Sequence, residues 1–176
     1  MRIEREETAA LVIDYQKKLV PVMHKEKKLI QNSSVLLAGL KMLHIPMIVT
    51  QQYTKGLGMT VKEITEAAGT EEYVDKISFS ALADVEGKII GKRFIIVCGI
   101  EAHICVLQTV IDLVAAGYIP VVVEDCVSSR KSSDKKTALR RMRDEGAIVT
   151  TYESLLFELL KVAGTEESKQ IQRLIK

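Results

Sequence analysis

The chain of 176 residues has no tryptophan, and aromatic residues make up only 5% of it. A surface on which nucleic-acid bases stack needs aromatic side chains, so the composition argues against such a platform. The charge is also nearly balanced, with 25 basic against 23 acidic residues and a net charge of +2. This balance gives no support to binding of nucleic acid or of an anionic membrane.

Long apolar runs are missing as well. No segment approaches the roughly 20 apolar residues that a membrane-spanning helix needs. The chain begins Met-Arg-Ile-Glu-Arg-Glu-Glu, which is too charged for a signal peptide and too acidic for a transit peptide. We therefore expect a cytoplasmic protein, and its length fits a single domain covering residues 1–176.

Cysteine and histidine are scarce. The chain has three cysteines, at positions 98, 105 and 126, and three histidines. An odd number of cysteines without a secretion signal argues against a disulfide framework. No Cys-x-x-Cys pair and no histidine cluster is present, so the sequence predicts no metal site. We expect free thiols and no cofactor, and ask which thiol reacts.

Short apolar runs alternate with segments of helical spacing. The predicted strands are Thr8–Asp14, Ile45–Thr50, Arg93–Gly99, Tyr118–Asp125 and Ala147–Thr150, and Tyr73–Ile77 is either a brief strand or an extended segment. The predicted helices are Lys28–Leu43, one short helix within 51–69, His103–Ala116, Asp134–Glu145, Tyr152–Ala163 and Ser168–Lys176. This alternation predicts an α/β fold, a three-layer α/β/α sandwich with a mostly parallel, Rossmann-like sheet of about five or six strands.

Residues that follow the carboxyl ends of such strands are the candidates for function. Cys105 lies one turn into the helix after the strand Arg93–Gly99. A helix N-terminus lowers the pKa of a thiol, and its unpaired N–H groups can stabilise an oxyanion. From position alone Cys105 is either a nucleophile or a small buried core thiol. Cys98, within a strand, and Cys126, at the end of another, are expected to be structural.

Three more features are ambiguous from position alone. Asp14 ends the first strand, where it could serve as a general base or as an N-cap. A functional role for Lys76 can be argued only if a second functional side chain pairs with it, because most lysines are exposed at the surface. His103 faces a different side of its helix from Cys105 and is not expected to be a base. The stretch Gly56–Gly58 lacks the full phosphate-loop motif, and a mobile loop over the pocket is the better interpretation.

Three segments carry a family likeness. They are Leu-Val-Ile-Asp-Tyr-Gln around Asp14, Lys-Ile-Ser-Phe-Ser-Ala-Leu from Lys76, and Cys-Gly-Ile-Glu-Ala-His-Ile-Cys up to Cys105. Their order and spacing resemble the isochorismatase-like cysteine hydrolase superfamily over nearly the whole chain. The likeness is greatest to the small isochorismatase-domain proteins.

The resemblance implies a catalytic triad. Asp14 would take the thiol proton, Lys76 would hold the thiolate and Asp14 in place, and Cys105 would attack a carbonyl to form a thioester. The family also implies a cis peptide bond between Ile100 and Glu101. The backbone N–H groups of Glu101 and Cys105 would then form the oxyanion hole.

Departures from the family pattern narrow the chemistry. Nicotinamidases of this superfamily hold a metal with an Asp-x-His motif after the second strand, where this chain has Gln51-Gln52-Tyr53. Isochorismatases cleave a vinyl ether and need no thiol, so Cys105 favours hydrolysis of an amide or related C–N bond. Vinyl-ether hydrolysis and a non-catalytic binding protein are the alternatives.

The expected partner is a small-molecule substrate, with no nucleic acid and no membrane. The pocket walls are predicted to include Gln16, Leu19, Gln52, Tyr53, Leu57, Phe79 and Ile104. The resemblance also suggests a homo-oligomer, a dimer or larger.

Overall fold

A six-stranded sheet runs through the molecule, which a computed structural model describes over residues 1–176. Its strands are β1 (Thr8–Ile13), β2 (Met47–Gln52), β3 (Tyr73–Lys76), β4 (Phe94–Ile100), β5 (Ile119–Ser128) and β6 (Ile148–Thr150). They lie in the order β3-β2-β1-β4-β5-β6, and every pair is parallel. The predicted fold class is therefore confirmed.

Helices cover both faces of the sheet. They are α1 (Glu26–Met42), α2 (Thr54–Leu57), α3 (Lys62–Ala68), α4 (Leu82–Ile89), α5 (Leu107–Ala115), α6 (Ser132–Asp144), α7 (Tyr152–Leu160) and α8 (Glu166–Ile175). Helices α1, α3, α7 and α8 contribute to the apolar cluster on one face, and α4, α5 and α6 to the cluster on the other. None of these helices is long and apolar enough to cross a membrane.

The central strands explain the uninterrupted apolar runs of the sequence. Every residue of β1 and of β4 is buried, because helices pack on both faces of this part of the sheet. Their carboxyl ends lead directly to Asp14 and to Glu101. The polar residues that follow the central strands thus meet at one edge of the sheet.

The structure corrects several predicted boundaries. Cys105 lies in a π-helical turn, Ala102–Val106, and the α-helix begins only at Leu107. Within residues 51–69 there are two short helices where one was predicted. The strand predicted to end at Asp125 continues to Ser128. Helix α4 was not predicted at all.

Candidate active site

Asp14 directly follows β1 and is fully buried. Its backbone has a φ of 56°, in the left-handed region, which turns the chain away from the strand direction. One carboxylate oxygen, Oδ1, accepts a hydrogen bond of 2.7 Å from the hydroxyl of Thr50 in β2. The other, Oδ2, lies 2.7 Å from Nζ of Lys76. No helix begins at Asp14, so the N-cap alternative is wrong.

Lys76 ends β3, and its side chain reaches past β2 to approach Asp14 at the end of β1. Its ammonium donates hydrogen bonds to Oε1 of Gln52 at 2.7 Å and to the carbonyl oxygens of Phe79 at 3.0 Å and Ser78 at 3.2 Å. An ammonium has three hydrogens, and these acceptors use all of them. The attraction to Asp14 is therefore that of an ion pair, and Oδ2 accepts no hydrogen bond from it.

The Cys105 thiol lies beside this ion pair and is only 6% exposed. Burial and the negative charge of Asp14 raise its pKa to about 12, although the Lys76 ammonium acts in the opposite direction. The nearby carboxylate of Asp14 favours the protonated thiol, because a neutral S–H can share its proton with the carboxylate and a thiolate cannot. The expectation of a lowered pKa at a helix N-terminus is thus wrong, because burial and the carboxylate outweigh the opposing effects.

Glu101 connects β4 to the turn that carries Cys105. The bond between Ile100 and Glu101 is cis, the geometry that the family resemblance implies. The backbone N–H of Glu101 lowers the pKa of the Cys105 thiol, though less than burial raises it. Its carboxylate is buried and accepts two hydrogen bonds of 3.1 Å, from the backbone N–H and from Nε of Arg130. This pairing ties the segment to the end of β5.

Gly99 allows the two central strands to converge at the site. A Cβ atom at this position would lie 2.2 Å from the carbonyl oxygen of Ile13, the residue before Asp14. Its φ of 139° is also one that other residues rarely adopt. Only glycine fits here, so this residue sets the approach of β4 to Asp14.

The predicted pocket residues differ in their burial and in their contacts. Gln16 is fully buried, and its amide bonds the backbone of Gln52 and the carbonyl oxygen of Gly58, so it fixes a loop rather than lining a pocket. Gln52 is also buried, and it holds Lys76. Tyr53 and Phe79 are exposed, as wall residues of an open site would be. The remaining three, Leu19, Leu57 and Ile104, are half-buried.

The segment Gly56–Gly58 is held in place rather than free. Lys18 donates to the carbonyl oxygen of Gly56 through Nζ, at 2.7 Å, and to that of Leu57 through its backbone N–H. Together with the bond from Gln16 to Gly58, these contacts argue against a mobile loop over the pocket.

The other candidates lie outside the triad. The His103 ring hydrogen-bonds Ser129 through Nδ1 at 2.9 Å, and its Nε2 is 4.0 Å from Asp134. Cys98 and Cys126 are fully buried, and burial raises the pKa of both thiols. No group of three or more His, Cys, Asp or Glu side chains is arranged to hold a metal ion.

Two partners of the triad were not predicted as such. Thr50 bonds Asp14, and Gln52 had been assigned to the pocket wall rather than to Lys76. A sequence signal does exist, because Thr50-Gln51-Gln52 is a polar ending to an apolar strand. It marks the site edge but does not tell which side chain each residue bonds.

Comparison with known proteins identifies the family. A family model described as the isochorismatase domain matches residues 8–154. The secreted isochorismatase effector Isc1 of Phytophthora sojae (strain P6497) is 41% identical over 155 residues, covering 84% of this chain and 74% of that protein. Isochorismatase domain-containing protein 1 of Salmo salar is 37% identical over 173 residues, covering 96% of this chain but only 61% of that relative's length.

A solved structure agrees with these sequence relatives. The MAR1 ribonuclease from Caenorhabditis elegans superposes with a TM-score of 0.94 and 37% sequence identity, covering 99% of this chain and 92% of that one. The residues 8–154 that the family model matches include all six strands and the segments that carry Asp14, Lys76 and Cys105. The chain belongs to the isochorismatase family.

Proposed function

We propose that the protein is a hydrolase that cleaves a small amide, or a related C–N bond, through a thioester on Cys105. One observation carries the proposal. A thiol that is protonated at rest lies beside a buried carboxylate, whose oxygen Oδ2 accepts no hydrogen bond in the structure and is free to take a proton. Such a pair is suited to transfer the proton at the moment when the sulfur attacks.

Asp14 acts as the base in the first step. Its carboxylate takes the proton from Sγ of Cys105 while the sulfur bonds to the substrate carbonyl carbon. Lys76 orients the carboxylate through the ion pair of 2.7 Å, and the ammonium is itself held in place by Gln52 and two carbonyl oxygens. The thiol therefore does not need to be a thiolate before substrate binds.

The carbonyl oxygen gains negative charge as the sulfur bonds to the carbon. The backbone N–H groups of Glu101 and Cys105 are the proposed donors to this oxyanion. The Glu101 N–H favours negative charge at Cys105, since it lowers the pKa of the thiol, and this supports the role. Oriented N–H donors in a water-poor site typically contribute about 3–4 kcal/mol each to lowering the barrier.

The amine leaves in the next step. Asp14 returns the proton to the leaving nitrogen, the C–N bond breaks, and the acyl group stays on Cys105 as a thioester. A water molecule then loses a proton to Asp14 and attacks the thioester. The carboxylic acid departs, and the thiol recovers its proton from Asp14, which completes the cycle.

Ammonia release from a panel of small primary amides tests this function. The wild-type chain should turn over at least one amide, and both Cys105→Ala and Asp14→Asn should lose at least 1,000-fold in kcat/KM, the scale of removing a covalent catalyst. Cys126→Ala is the matched control, since it removes a buried thiol away from Asp14, and it should keep its activity.

The same variants separate the alternatives. Vinyl-ether hydrolysis needs the acid–base group but no nucleophile, so it predicts activity that survives Cys105→Ala and is lost in Asp14→Ala. A non-catalytic binding protein predicts no turnover in any variant. The Caenorhabditis elegans protein is called a ribonuclease. An RNA oligonucleotide therefore belongs in the panel, and Cys105-dependent cleavage of RNA without amide turnover would contradict the amide proposal.

A further inference from the structure

A cavity of about 200 Å³ lies at the carboxyl end of β5, where α1 and α6 approach the sheet. It is separate from the candidate active site, because Asp14, Lys76 and Cys105 do not line it. Its most distinctive walls are the basic side chains His24, Lys25, Lys28 and Lys135, with Asp125 as the one carboxylate.

The basic side chains of this cavity have no partners within the chain. Lys25 precedes α1, Lys28 lies in its first turn, and Lys135 belongs to α6, so two segments bring three ammonium groups to one place. None of the three forms an ion pair. Three ammonium groups against one carboxylate leave an excess of two positive charges when His24 is neutral.

Burial makes the charged form of Lys135 costly, and the carboxylates near it offset that cost only in part. Burial lowers its pKa from the usual value, and the charge of Lys25 acts in the same direction. The nearby carboxylates of Glu124 and Asp125 oppose this effect without cancelling it. Asp125 is also partly committed elsewhere, since its Oδ1 accepts a hydrogen bond of 3.0 Å from the backbone N–H of Tyr152.

We propose that this cavity binds a phosphate group, either as inorganic phosphate or as the phosphate of a small monoester. A phosphate dianion carries the two negative charges that the lining residues lack. Its oxygens are strong acceptors for lysine ammonium groups, which bind phosphate as point charges. The volume is below the roughly 300–1,000 Å³ of pockets for drug-sized ligands, which favours a small ligand.

Calorimetric titration with inorganic phosphate at constant ionic strength tests the site, with chloride as the reference anion. We expect binding by the wild-type chain and an affinity about tenfold weaker in Lys28→Ala and in Lys135→Met, since each removes one charged hydrogen-bond donor. Lys27→Ala and Lys136→Ala are the matched controls. These neighbouring lysines are exposed and do not line the cavity, so their variants should bind like the wild type.

A parallel titration with glycerol 3-phosphate distinguishes the two sources of the phosphate. Tighter binding than that of inorganic phosphate supports a monoester, and weaker binding supports the free anion. Absence of phosphate binding by the wild-type chain overturns the proposal. An equal loss of affinity in the control variants also overturns it, because the effect would then be one of overall charge.

Discussion

At Cys105, three neighbouring groups compete over one proton. Burial and the Asp14 carboxylate favour the neutral thiol, while the Lys76 ammonium and the Glu101 backbone N–H favour the thiolate. Burial and the carboxylate have the larger effect, so the pKa of the Cys105 thiol is raised to about 12. Reactivity toward a substrate then depends on Asp14 as an acceptor at the moment of attack, rather than on a stored thiolate.

The state of this thiol predicts how it reacts with a simple electrophile. Below its pKa the thiolate fraction rises tenfold per pH unit, so modification of Cys105 by methyl methanethiosulfonate should accelerate about tenfold per unit from pH 7 to 9 without a plateau. Intact-mass kinetics measure this, and Cys105→Ala should show no native-state adduct, because Cys98 and Cys126 are fully buried. A plateau below pH 9 would mean a low thiol pKa.

The raised pKa also links folding to pH. The folded chain holds the Cys105 proton more tightly than the unfolded chain, whose thiol has a pKa of about 8.5. The resulting stabilisation is fully present below that value and is lost as the pH rises through about 12. The raised thiol pKa also leaves little thiolate at neutral pH. Slow modification there is therefore compatible with a catalytic cysteine and does not by itself indicate an inactive protein.

Gln52 offers a test of how Lys76 is positioned. Gln52→Met removes one acceptor from the ammonium, which frees a hydrogen for Oδ2 of Asp14 and competes with the thiol proton. We expect kcat on a confirmed amide to fall about 10- to 100-fold, in the range of acid–base effects, with little change in KM and a shifted pH–rate profile. A change confined to KM would instead assign Gln52 to substrate binding.

How far the sequence predicts these residues differs between them. Position marked Cys105 and Asp14 as candidates, each with a structural alternative, whereas Lys76 needed the family resemblance to be paired with Asp14. The side chains of Asp14 and Lys76 meet only because β3, β2 and β1 are adjacent in the sheet. No local sequence pattern predicts the order of the strands. The direction of the Cys105 pKa shift could not be predicted from the neighbouring residues in the sequence. It depends on burial and on the carboxylate of Asp14, which is 91 positions away.

At the level of elements, the strands were the easiest to predict. Apolar runs such as β1 and β4 are buried on both faces and leave little ambiguity. Helix α4 was missed although Leu82, Val85 and Ile89 recur at helical spacing, because Gly87 interrupts the segment. The π-helical turn around Cys105 has no periodic signature in so short a stretch, and tertiary contacts decide it.

Replacing Gly99 tests whether the close approach of β4 to β1 positions Asp14. In Gly99→Ala the new methyl group would meet the Ile13 carbonyl oxygen and the φ of 139° would be strained. We expect a loss of about 2–5 kcal/mol in the free energy of unfolding, measured by urea denaturation, and loss of activity as Asp14 is displaced. Gly87→Ala in α4 is the control, because its Cβ meets nothing within 4 Å. It should be neutral or stabilising by up to about 1 kcal/mol.

At the scale of the whole molecule, apolar side chains remain exposed near the candidate site. Four large apolar side chains are each more than 40% exposed: Tyr53, Met59, Ile77 and Phe79. Large exposed apolar patches are rare on monomeric proteins and often mark a contact with another molecule. We expect this patch to contact a second copy of the chain, in line with the homo-oligomer suggested by the family resemblance.

Light scattering coupled to size-exclusion chromatography checks this expectation. The wild-type mass should be at least twice the 19.6 kDa of one chain, and Ile77→Lys should lower it. Ile90→Lys changes an equally exposed isoleucine on another segment and should leave the mass unchanged. A monomeric wild-type chain would contradict the prediction.

The central claim is that Cys105 forms a thioester, and intact-mass spectrometry tests it most directly. The chain is mixed with each amide of the panel and quenched in acid within the first turnovers. We expect a mass increase equal to the acyl group in the wild type and in Cys126→Ala, and none in Cys105→Ala. Turnover of an amide by Cys105→Ala at the wild-type rate, with no adduct on the wild-type chain, would contradict it.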